Sequence, residues 1–231
     1  MSQPIVGYLL HRFGCIEGDM GLGYNYILSG NGIFISAQNY YLDACIPVAG
    51  CQIRGLTETE ANVKLIHGKI PQALFDLALN TALVKKEKEI YFALTWDNGY
   101  HLFLTGQQGE VGQVKYTVLD NTVMDIHSHG KIGTRFSHTD DKDEQGFKLS
   151  CLVGDLDRVP RVGVRIGVYG NFLALPWGDV FSGSLTGAVD VLKDYEEEVK
   201  AEIELSSTNQ LQQDLSCGGW WNRFFGSRWI M

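Results

Sequence analysis

Most apolar residues in this chain fall in short runs separated by turn-forming residues, and one longer stretch carries a helical spacing. Residues 5–10 predict a first strand. Residues 24–28 and 33–37 predict a hairpin around Ser29-Gly30-Asn31-Gly32, because Asn-Gly between apolar runs is a strong turn signal. Residues 41–48 and 52–56 predict two more short strands, so residues 1–66 form a β-rich N-terminal module. Gly18, Gly21 and Gly23 lie in it without a preceding strand or a following helix, which predicts a plain turn and not a phosphate-binding loop.

A helix is predicted from Pro71 to Lys86. Proline suits the first turn, Leu74, Leu77, Ala78 and Leu83 make an apolar stripe, and Lys85 and Lys86 complement the negative end of the helix dipole. Strands follow at 90–96 and 100–104, joined by Asp97-Asn98-Gly99, and then at 114–119 and 123–127. Ser137-His138-Thr139-Asp140 resembles a capping box opening a short helix, with Asp141, Asp143 and Glu144 adding negative charge near its start. Strands at 149–153, 162–168 and 172–175 come next. A helix over 187–206 would set Leu192, Tyr195, Val199 and Ile203 on one face, followed by a polar linker at 207–214. The pattern predicts an α+β fold divided into residues 1–66, 67–186 and a C-terminal helix and tail at 187–231.

Composition narrows the function classes. The 231 residues are 45% hydrophobic and 20% charged, as expected of a globular protein, and the net charge of −8 argues against a general nucleic-acid binder. No run approaches membrane-spanning length, and the N-terminus lacks a secretory signal pattern. The five cysteines (Cys15, Cys45, Cys51, Cys151 and Cys217) are odd in number and include no C-x-x-C, which predicts a reduced, cytoplasmic protein. Cys45 and Cys51 are expected to be buried small hydrophobes. The tail GGWWNRFFGSRWIM carries five aromatic residues that need a surface to cover them, on the parent domain or on a second copy of the chain.

The candidate chemistry lies in Val123–Glu144. His127 and His129 are two apart at the end of a predicted strand, so their side chains share a face. Asp140 supplies a carboxylate of suitable hardness. Two histidines, one carboxylate and an open fourth position make a catalytic zinc site.

The spacing His-x-His-x7-Ser-x2-Asp resembles the signature of the JAMM metalloproteases, the JAB/MPN/Mov34 family, over about residues 70–180. The resemblance implies a mixed, curved β-sheet flanked by helices, of the JAB/MPN (cytidine-deaminase-like) type, with Zn2+ held by His127, His129 and Asp140. It further implies that Ser137 stabilises the tetrahedral intermediate and that a glutamate between the helix and the next strand is the base. Glu89 fits that position, with Glu87 as the alternative. With the GLGYNYILSGNGIFI module and the run HSHGKIGTRFSHTDDKDEQGF, the whole chain resembles a bacterial JAB-domain family of the PRTRC cassette. That family implies a ThiF/E1-like partner. Gly130 stands where deubiquitinases of the JAMM family usually carry proline, and the interval from Glu89 to His127 is short for a ubiquitin-gripping insertion. The implied substrate is a ubiquitin-like or sulfur-carrier-like protein cut near its C-terminal glycines. Two other readings of the same residues stay open: a metal-dependent hydrolase of small amides or peptides, and a non-catalytic MPN scaffold in a multi-protein assembly.

Overall fold

The computed structural model describes residues 3–105, 107–110, 113–116 and 119–194. Met1–Val191 form one compact unit, and a second begins at Leu192. Most of the expected C-terminal helix, the linker and the aromatic tail lie outside the described residues.

The N-terminal strands are β1 (Val6–Arg12), β2 (Cys15–Glu17), β3 (Tyr24–Ser29), β4 (Gly32–Gln38), β5 (Leu42–Gly50) and β6 (Asn62–Leu65). They form one sheet in the order β2-β1-β3-β4-β5-β6, with β1 parallel to β3 and the other pairs antiparallel. The Asn-Gly hairpin joins β3 to β4 as the pattern predicts, and Gly32 takes φ +148° with no room for a Cβ beside the Ala49 carbonyl. The strand expected at 52–56 does not form. There the chain turns at Gly55 and makes single bonds, from Ile53 N–H to the Gly30 carbonyl and from Thr57 N–H to His11. β6 takes the place beside β5. Cys45 is half-buried, but Cys51 is exposed, because it lies just past the end of β5, where no element covers it.

β7 (Ile70–Pro71) leads into α1 (Gln72–Val84). Phe75, Ala78, Leu79 and Ala82 are its buried face, whereas Leu77, expected in the stripe, is 58% exposed. Apolar residues surround this helix on almost every side, so spacing alone does not choose which face docks. Phe75 decides it by packing against Trp177 and Phe181, ring centroids 4.7 and 5.7 Å away.

Next come β8 (Ile90–Trp96), β9 (Tyr100–Leu104), a separate hairpin of β10 (Gln107–Glu110) and β11 (Gln113–Tyr116), and β12 (Thr122–Ser128). They are followed by α2 (His138–Asp143), β13 (Phe147–Gly154), β14 (Arg161–Val168), β15 (Asn171–Ala174), α3 (Trp177–Val180), β16 (Phe181–Ser182) and β17 (Val189–Asp190). β16 pairs with β7. The larger sheet runs β15-β14-β13-β12-β8-β9, with β17 beside β14. Its sole parallel pair on the main path is β12 with β13, and the connection between them carries α2. The helix expected from residue 187 starts later: Gly187 sits at φ +72° in a turn, and Val189–Asp190 pair with Arg161 and Val162. β17 is thus an edge strand that an amphipathic helical pattern conceals.

The fold is α+β with a mixed sheet and few helices. One buried cluster combines Ile35, Ala37, Leu42, Ala44 and Ile46 of the N-terminal sheet, the buried face of α1, and Phe92, Leu94, Met124, Ile126, Leu149 and Val164 of the larger sheet. Met124 and Ile126 point into that cluster, so Asp125 and His127 point to the opposite face. Among the described residues no helix is long and apolar enough to cross a membrane.

Candidate metal centre

β12 delivers His127, and the residue beyond its end delivers His129 to the same face. The backbone is held firmly there: β12 pairs with β8 on one side and β13 on the other, and His129 N–H bonds the Val153 carbonyl at 2.9 Å. Gly130 then turns away at φ +58°, and a Cβ on it would meet the Lys86 carbonyl at 2.7 Å. Proline is confined to a φ near −65° and cannot take that turn. The departure from the proline common in deubiquitinases is therefore built into the path of this loop.

α2 brings Asp140 over the histidines. Its capping box is complete: Ser137 Oγ accepts from Asp140 N–H at 3.2 Å, and Asp140 Oδ2 accepts from Ser137 N–H. Asp140 Oδ1 lies 3.5 Å from His127 Nε2, and Asp140 Oδ2 lies 3.6 Å from His129 Nε2. One ligand atom from each of the three residues lies within 4.8 Å of the others. Tetrahedral zinc with bonds of about 2.0–2.1 Å separates its ligands by roughly 3.3–3.4 Å. Each histidine thus faces one Asp140 oxygen at close to that spacing, and the two imidazoles and one carboxylate suit a metal in donor chemistry. A second observation agrees, since His127 Nε2 is buried and has no hydrogen-bond partner.

The electrostatics follow from this crowding. Burial alone would raise the Asp140 carboxyl, but the two histidines and the Ser137 N–H outweigh it and hold the group well below its usual range. Burial pulls His129 down, yet Asp140, Glu89 and the Gly133 carbonyl together raise it above 6.5. Glu89 precedes β8 by one residue, and the register of β8 against β12 carries on to place it across from His129. Burial raises its carboxyl, countered by His129 and His127 and aided by Asp140, so Glu89 senses all three candidate ligands. Glu87 instead is 69% exposed and pairs with Lys131 at 2.8 Å. Lys86, Glu87, Lys88, Glu89, His129 and Ile132 line a cleft of about 190 Å³, with Glu87 on its solvent side. Of the two glutamates named from the sequence, Glu89 joins the cluster and Glu87 stays at its rim.

Ser137 is exposed at the head of α2. The capping bond uses an oxygen lone pair and leaves its O–H available to donate. Capping and a role in the site are thus compatible.

Sequence reasoning missed the groups behind the ligands. Asp125, two residues before His127 on the same face, is buried and accepts from Tyr91 and Lys148. Glu144 is buried beside His127, and Arg165 reaches it from β14. The available signals were a charged residue inside each of two apolar strands, VMDIH and VRIGV, and a carboxylate one helical turn after Asp140.

Neither a family model nor a curated protein matches the chain.

Proposed function

We propose that this protein is a zinc-dependent peptidase or isopeptidase of the JAMM type, with a JAB/MPN domain over about residues 70–180. The observation that supports it most is the convergence of His127, His129 and Asp140, with the half-buried carboxylate of Glu89 across from His129 and lining the same cleft. A scaffold that kept a metal for stability alone would have no use for a second carboxylate there. Zinc held by these residues would supply Lewis acidity, lowering the pKa of water and polarising a scissile carbonyl. Glu89 accepts a proton at its carboxylate oxygen and passes it to the leaving nitrogen. Ser137 directs its hydroxyl at the carbonyl oxygen as negative charge develops there. The motif's resemblance points to a ubiquitin-like or sulfur-carrier-like substrate cut near its C-terminal glycines, with a ThiF/E1-like protein as partner.

The test is zinc content together with hydrolysis of a di-glycine-linked fusion to such a carrier protein. The native chain should hold about one zinc, and Asp140→Ala should lose it. Glu89→Gln should keep the zinc and lose hydrolysis. A folded native sample that takes up no zinc overturns the metalloprotease reading. Hydrolysis unchanged in Glu89→Gln removes Glu89 as the base.

A further inference from the structure

His127 presents two ring nitrogens to two carboxylates of one short segment. Nε2 faces Asp140 at 3.5 Å, and Nδ1 faces Glu144 Oε1 at 3.8 Å. Asp140 and Glu144 are four residues apart, one turn, and the Glu144 N–H bonds the Asp140 carbonyl at 2.9 Å. The Glu144 side chain is 5% exposed, and its other oxygen, Oε2, is held by Arg165 at 2.8 Å through Nη2 and 3.1 Å through Nε. Arg165 is itself fixed. Its guanidinium lies 3.7 Å from the Phe136 ring and 4.0 Å from the Phe172 ring, and Nη1 donates to Asp141 Oδ1 at 2.6 Å. A buried, clamped carboxylate thus stands behind one candidate ligand, with one oxygen engaged and the other turned to the histidine.

We propose that Glu144 is a positioning residue for the metal: it holds the His127 proton on Nδ1 and so keeps the Nε2 lone pair for the ion, while Arg165 aims the carboxylate. This rests on the metal-centre reading above. An imidazole ligates through a bare nitrogen, and the acceptor behind the other nitrogen decides which one is bare. The 3.8 Å separation is longer than a hydrogen bond, so the role requires the two groups to close to hydrogen-bonding distance when a metal is held. The orphaned state of His127 Nε2 agrees, since the protein itself offers that atom no donor.

The arrangement makes an unusual prediction for Glu144→Gln, a change that keeps size and shape. Arg165 has only donors, so it takes the single amide oxygen. The glutamine NH2 then faces Nδ1, drives the proton to Nε2, and blocks the ligand atom. The variant should bind zinc at least about tenfold more weakly, the lower end of what loss of such an outer partner costs. In the zinc-free variant, 15N chemical shifts should show His127 with its proton on Nε2. Adding Arg165→Met frees the glutamine to turn its oxygen to Nδ1, and affinity should recover in part, which a purely structural loss would not do.

The measurement is zinc affinity by competition with a chromophoric chelator, alongside histidine 15N spectra and a thermal-unfolding control. Zinc-loaded native protein, which needs no variant to fold, should show His127 ligated through Nε2 with a protonated Nδ1. Ligation through Nδ1, or native affinity in folded Glu144→Gln, overturns the role of Glu144 and leaves the metal centre standing. A native chain that binds no zinc removes both.

Discussion

At the scale of single residues, the charges around Asp140 set how the metal-free protein answers to pH. His129 has its folded-state value raised above 6.5, so its contribution to stability is complete below 6.5 and is lost as pH rises through the folded-state value. Asp140 is held far below 3.8; its contribution is present above 3.8 and is lost only in strong acid. The metal-free protein should therefore lose thermal stability as pH is raised from 6.5, while zinc affinity increases over the same interval because protons compete less for His129. Melting curves across that range, with and without zinc, check this. His129→Gln should flatten the metal-free profile, and a slope that survives that change assigns it to another group. Glu87→Gln is the contrasting case: it removes an exposed pair with Lys131 and should leave melting temperature, zinc content and hydrolysis unchanged.

At the scale of elements, α1 shows what periodicity resolves and what it leaves open. Its existence and C-terminal end were legible to within two residues, but its docking face was not, since Leu74, Leu77 and Leu83 compete with Phe75 and Leu79 for the same role. Phe75→Ala should cost about 3–5 kcal/mol, as expected for a fully buried aromatic side chain. Leu77→Ala should stay within about 0.5 kcal/mol. Urea unfolding of the two variants decides between the faces; equal losses would restore the stripe expected from spacing. α2 is only six residues long and has no buried side chain of its own, so its cap and its ion pairs hold it. Arg165→Met leaves Glu144 as a buried carboxylate without its cation and should cost roughly 3–5 kcal/mol by the same urea measurement. A loss below about 1 kcal/mol would mean that water reaches Glu144 freely.

For the molecule as a whole, the decisive feature is that both sheets and α1 bury their apolar faces in one cluster. Ile46 of β5 is fully buried there, so Ile46→Ala should destabilise by about 2–5 kcal/mol. The loss should reach β12, which carries His127, although the two residues lie in different sheets. Native-state hydrogen exchange reads it: the slowest amides of β4 and of β12 should lose protection by the same amount. A loss confined to β4 would show that the N-terminal sheet opens independently.

The sequence by itself determined the local features. Alternating and continuous apolar runs placed most strands, β8 and β9 to the residue, because side-chain period and turn chemistry are local physics. The histidine pair was legible for the same reason, since two residues apart on a strand always share a face. The structure decided what depends on distant partners. No spacing rule reveals that Glu89 lies across from His129, forty residues further along the chain, through the antiparallel β8–β12 register, or that Arg165 reaches Glu144. Nor could it show that residues 52–56 form no strand and that 189–190 form one, because strand formation depends on which edge is free to pair. Those outcomes follow from packing one buried core between two sheets, where contacts between residues far apart in the chain outweigh weak local preference.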